Sequence, residues 1–203
     1  MSEATGAGFL ATPTPTSEVQ AMYDGDVENI GFVMNVSRVW GHLPDAHQAL
    51  MQTMGVAAES AGLTFRQRGV LVTATASTIG DSYCSLAWGL KMGAVMGEDL
   101  VGAVLRGDHA LLDDGERALA NWAGRVARSP GTTTAGDVEE LREAGFDDAQ
   151  ILGITAFVAA RMAFSTVNAA LGAQPDRELG EQVPPPVRDA VDYGRPTWAG
   201  SGA

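Results

Sequence analysis

The chain has 203 residues, 45% of them hydrophobic, and a formal net charge of -12. This is the length of one domain with ample apolar side chain for a packed core, which excludes a disordered chain. An acidic surface, with a pI of about 4.5, repels phosphate backbones and anionic headgroups and so argues against nucleic acid and membrane as partners.

Residues 1–17 are rich in Thr, Ala, Gly and Pro and read as a flexible segment. They carry an early acidic residue and no basic-then-apolar leader, and no apolar run reads as membrane-spanning, so a cytoplasmic protein is expected. Residues 17–39 are mixed and only partly periodic. "HLPDAHQALMQTMGVAAESAGL" reads as a helix, with Pro44 in its first turn and Leu50, Met51, Met54 and Ala58 at helical spacing. "RQRGVLVTATASTIGD" is ambiguous, because Val70 to Thr73 suit a strand by β-branching. It is read as a buried helix, since no other segment offers a strand to pair with it. Asp81 is a good N-cap for a helix to about Met96 that puts Cys84, Trp88 and Lys91 on one face.

"EDLVGAVLRG" is a short helix ending at Gly107. "DDGERALANWAGRVARSPG" has an apolar stripe at Leu119, Trp122, Ala123 and Val126 and an expected capping box from Asp113 and Glu116. "TAGDVEELREAG" starts at a threonine cap and stops at Gly145. "DDAQILGITAFVAARMAFSTVNAALG" is the longest helix, apolar on nearly all sides and therefore expected to be central, with Arg161 and Asn168 as polar exceptions in a shared structural network. Residues 173–203 are rich in Pro, Gly and charge and read as an extended arm with at most one short helix, anchored through Arg195 to a neighbouring subunit or to the body. The expected body is thus an all-α domain over residues 18–172.

The stretch "GDSYCSLAWG" holds Cys84, the single cysteine, so an intramolecular disulfide is ruled out. His42, His47 and His109 show no ligand spacing with it, so neither metal nor cofactor is expected. As third residue of its helix Cys84 gains from the helix dipole, whereas Asp81, one turn away, raises a thiol pKa. Cys84 is either a nucleophile or a small buried hydrophobe. Asp81 is either a proton relay or only a cap, and Tyr83 either an acid and hydrogen-bond donor or core. Trp88 can wall a pocket, Lys91 can act as a desolvated acid or base, and Arg68 can pair with Asp81 or bind an anionic substrate.

"RQRGVLVTATASTIGDSYCSLAWG", "DVEELREAGFDDAQI", "RMAFSTVNAALG" and "VRDAVDYGRP", in that order, resemble the carboxymuconolactone decarboxylase-like superfamily, nearest its alkylhydroperoxidase-D-like, peroxidase-related branch. The resemblance implies an AhpD-like helical fold and assembly into homo-oligomers, trimers or hexamers. Redox-active members carry Cys-x-x-Cys-x-x-x-His after a helix bearing a glutamate. Matching on "YC" carries the second cysteine onto Cys84, the first onto Asp81, the histidine onto Trp88 and the glutamate onto or beside Gly69. One sulfur cannot run a dithiol cycle. Three readings stay open: a one-cysteine thiol-dependent peroxidase-like enzyme with Cys84, Asp81 and Tyr83 catalytic; a cofactor-free decarboxylase or isomerase holding an acidic small molecule on Trp88, Arg68 and Lys91; and a non-catalytic oligomeric binding protein.

Overall fold

The computed structural model describes residues 7–197, and among them it contains helices and no strand. The helices are α1 (Ser17–Ile30), α2 (Asn35–Trp40), α3 (Pro44–Ser60), α4 (Phe65–Thr78), α5 (Ser82–Met96), α6 (Glu98–Leu105), α7 (Asp114–Arg128), α8 (Ala135–Glu143), α9 (Asp148–Ala170), α10 (Arg177–Gln182) and α11 (Pro185–Arg188). A single 3-10 turn, Pro130–Thr132, follows α7. The partly periodic stretch before Trp40 thus forms two helices, the first capped by Thr16, whose side chain accepts the Val19 N–H.

The ambiguous stretch is α4, buried without interruption from Gly69 to Ala76. Its β-branched residues fit a helix because Thr73 and Thr75 return their hydroxyls to carbonyls one turn back, Thr75 to Leu71 at 2.7 Å. A reciprocal capping box, Thr64 with Gln67, opens α4. Similar boxes open α8 (Thr134, Asp137) and α9 (Asp147, Gln150). The box expected at α7 does not close. Asp113 caps the Glu116 N–H at 2.8 Å, but the Glu116 carboxylate turns to Arg66, at 2.5 and 2.9 Å.

The core forms where α4 meets α5, α7 and α9, with α3 laid along α9. Contrary to the expectation that no apolar run reaches membrane-spanning length, α9 is long and apolar enough to cross a membrane; half of its most apolar window is buried in this fold. Residues 7–16 are non-helical but tied down, through the Phe9 N–H to the Leu171 carbonyl at 2.8 Å and His42 to the Ala11 carbonyl at 2.8 Å. The rest of the segment read as flexible, residues 1–6, lies outside the described residues. The C-terminal arm holds two short helices where at most one was expected. It buries Leu179, Val183, Val187 and Ala190 against the body, because apolar residues punctuate its Pro-rich stretch; its end, residues 198–203, also lies outside the described residues.

Candidate functional site

Asp81 is the N-cap of α5, and its Oδ1 accepts the Cys84 N–H at 3.0 Å. That bond places Cys84 in the first turn with its side chain turned inward, 3% exposed. Across from it stands α9. Arg161 and Ser165, four residues apart and so on one helical face, both reach the thiol. Arg161 Nη2 donates to Cys84 Sγ at 3.3 Å, and Ser165 Oγ donates at 3.7 Å.

Arg161 is itself only 7% exposed. Its Nη1 donates to the Met54 sulfur at 3.7 Å, and its buried Nε has no partner. No carboxylate pairs with it among the described residues. Aromatic rings take that place: the guanidinium carbon lies over Phe164 at 5.2 Å and over Trp88 at 5.6 Å. Trp40 stacks on the far side of Phe164, with centroids 5.6 Å apart.

Burial pushes the Cys84 thiol up to about 12, and the Asp81 charge adds to it; Arg161 and Ser165 act in the opposite direction. The resting side chain at neutral pH is therefore a thiol. Asp81 Oδ2 is buried beside it with no hydrogen-bond partner. The arrangement supplies a thiol, a free carboxylate oxygen as proton acceptor, and a fixed cation to stabilise the sulfur anion once it forms.

Of the residues singled out in the sequence, Cys84, Asp81 and Trp88 gather here, and Lys91 joins them at the rim with Nζ 5.6 Å from the Trp88 centroid. Two do not take the expected places. Tyr83 faces a different cluster. Its hydroxyl donates to Asp176 Oδ2 and accepts the Val36 N–H at 3.5 Å, while Asp176 Oδ1 accepts the Asn35 N–H at 2.8 Å. Burial and the Asp176 charge hold Tyr83 well above the usual phenol range, and its hydroxyl is engaged with Asp176 rather than with Cys84. Arg68 donates Nε to the Leu63 carbonyl at 3.1 Å, at the end of α4 remote from Asp81 by roughly 15 Å of helix rise, and the expected ion pair does not form.

Arg161 was read as structural and shared with Asn168; instead it serves the sulfur, and Asn168 accepts the Trp40 indole N–H at 2.8 Å. A lone arginine on an otherwise apolar helix was the available signal. The position matching the family glutamate is occupied in space. A Cβ on Gly69 would lie 1.8 Å from the sulfur of the fully buried Met92, so that methionine fills the room a relay side chain would need.

The tail closes the open side of the cap. Ser82 Oγ donates to the Arg195 carbonyl at 2.7 Å, Tyr193 hydroxyl donates to Ser85 Oγ at 2.9 Å, and Arg195 Nη2 donates to the Ala169 carbonyl at 3.2 Å. Arg195 thus anchors the arm to the body of its own chain. Gly194, at φ 74° and against the Gly80 carbonyl, makes the turn that brings this strap in. A pocket of about 230 Å³ remains between strap and helix, lined by Asp81 and Asn168 among others. Among the described residues no three His, Cys, Asp or Glu side chains converge to hold a metal ion.

No family profile and no curated protein matches the sequence. Solved structures do match. A peroxidase-related protein from Ralstonia eutropha, described as an alkylhydroperoxidase AhpD core, superimposes with a TM-score of 0.76 and 23% identity over 87% of this chain and 96% of its own. A peroxidase-related protein from a Silicibacter species gives 0.74 and 21% identity over 88% and 97%. The debrominase Bmp8 gives 0.71 and 18% identity over 90% and 98%, and a cysteine-to-alanine variant of it in complex with 2,3,4-tribromopyrrole gives 0.67. The chain therefore has the all-α AhpD-like fold that its sequence resembles.

Proposed function

We infer that this protein is a one-cysteine, thiol-dependent oxidoreductase with Cys84 as nucleophile. The observation that carries the reading is a buried guanidinium without a carboxylate, set 3.3 Å from a buried sulfur. A buried unpaired cation is costly, and the anion that relieves it is the Cys84 thiolate. With a peroxide, Cys84 passes its proton to Asp81 Oδ2 as the sulfur attacks one oxygen. The O–O bond breaks, Cys84 becomes a sulfenic acid, and the leaving oxygen takes the proton back to depart as alcohol or water. A small-molecule thiol then displaces water from the sulfenic sulfur, and a second thiol releases Cys84 and leaves as a disulfide.

A second reading is supported by the likeness to a debrominase. Cys84 would take the halogen from a haloaromatic, the ring carbon would take a proton from Asp81, and two external thiols would clear halide and restore the thiol. Both are tested by incubating the purified chain with an organic peroxide or a bromoarene, with and without added monothiol, against Cys84→Ser. Expected is turnover only with thiol and only with Cys84, and without thiol a single added oxygen by intact mass after peroxide. A covalent dimer on non-reducing gels, restored to turnover by a dithiol reductase, would overturn the one-cysteine cycle. No modification and no turnover would favour the decarboxylase or binding-protein readings.

A further inference from the structure

Lys91 is exposed, Trp88 is half-buried and Arg161 is buried, and both cations lie over the one indole, 5.6 Å from its centroid. The ring therefore marks a line from the surface down to the sulfur. Phe65, half exposed, tilts against the outer part of the same indole with centroids 5.9 Å apart. Two aromatic rings and two cations thus stand together along that line.

Neither cation has an ion-pair partner among the described residues. Although Lys91 reaches solvent, its ammonium has its pKa lowered, first by partial desolvation among the groups packed around it and then by the charge of Arg161. The carboxylate that it feels, Asp26, accepts the Met34 N–H at 3.0 Å and forms no ion pair with it. In a chain of net charge -12, two uncompensated cations sharing a ring stand out. Cys84 at rest is a neutral thiol and balances neither of them. The buried Nε of Arg161 also has no hydrogen-bond partner.

We propose that Lys91 and Arg161, over the Trp88 ring, hold the anionic oxygen of a small aromatic acid, so that the substrate of Cys84 is an aromatic carboxylate or phenolate. With Cys84 resting as a thiol, the substrate anion is the counter-charge that the two cations lack, and the substrate's ring meets Phe65 and Trp88. This rests on the reading of Cys84 as nucleophile, but its test does not require turnover. Benzoate and its neutral counterpart benzamide are titrated into the folded chain by calorimetry. Benzoate is expected to bind about tenfold more tightly than benzamide, and Lys91→Met, a change at an exposed side chain, to erase about that tenfold. Cys84→Ser should bind benzoate as the parent does. Equal affinity for the two probes, no benzoate binding, or an unchanged affinity in Lys91→Met would each overturn the anion site. Benzoate binding without thiol-dependent turnover would instead overturn the role of Cys84 and leave the anion site standing.

Discussion

Cys84 and Arg161 set opposing demands on each other. Burial and Asp81 keep the sulfur protonated, while the guanidinium favours its anion. Below its pKa a thiol gains tenfold in thiolate per pH unit, and with Cys84 pushed up to about 12 that climb has no plateau in the neutral range. The alkylation rate of native Cys84 by iodoacetamide is therefore expected to rise about tenfold per unit from roughly pH 7 to pH 10. Because Arg161 pulls the pKa down, Arg161→Met should slow the reaction at every pH in that range, by about tenfold for each unit of pKa restored, with the fold checked by circular dichroism. A plateau below pH 8 would mean that the thiol ionises far more readily than its burial implies, and an unchanged rate in Arg161→Met would mean that the guanidinium does not stabilise the thiolate. At this scale the sequence was legible only in part. The Asp81 cap fixed Cys84 in its turn, which is local chemistry. Arg161 meets it from 77 residues away, and no spacing rule spans that gap.

At the scale of elements, the helices with regular stripes and caps were readable because capping and periodicity are local. The arm was not: its two short helices form because Leu179, Val183 and Val187 find the surfaces of α5 and α6, which is tertiary packing. What ties the arm down is Asp176, bonded to Tyr83 of α5 and Asn35 of α2. Burial raises this carboxyl to about 6 against its ordinary 3.8, with the Tyr83 and Asn35 hydrogen bonds working the other way. An acid raised in the folded state binds its proton there before it does in the unfolded chain. Its contribution is thus most favourable below about pH 4 and is lost as pH rises through 6. Lowering the pH from 7 to 5 should relieve roughly 1 kcal/mol at this position, part of a full cost of roughly 3 kcal/mol that is gone only below about pH 4, set against whatever the other carboxylates lose. Asp176→Asn should remove that part of the pH dependence, measured as the difference in urea midpoint between the two proteins at each pH. Parallel midpoint curves for parent and variant would show that Asp176 titrates normally.

Across the whole molecule, charge is distributed unevenly. Between Ala149 and Ala170 the only charged residue of α9 is Arg161, and it points inward. The outward face runs through Leu152, Ala159, Ala163 and Thr166, all exposed. It borders α3, with which it forms an open groove of about 540 Å³ lined by Ala49, Gln52, Thr53, Val56 and Leu152 among others. Leu152 is 71% and Val56 57% exposed. A helix that faces water usually carries charge on that side, and here none of the chain's 38 charged side chains, 13 basic and 25 acidic, lies on the outward face of α9 between Ala149 and Ala170. Two like-charged molecules meet with least repulsion where that acidic charge is sparse, which makes the α3–α9 face the expected contact between copies of this chain. Light scattering at micromolar concentration should give a mass that is a multiple of 21.1 kDa. Leu152→Glu, at a site where the folded monomer loses little, places carboxylates opposite each other and should shift the mass to that of one chain. A parent protein that is already monomeric would remove the idea, and a Leu152→Glu protein as large as its parent would place the contact on another face.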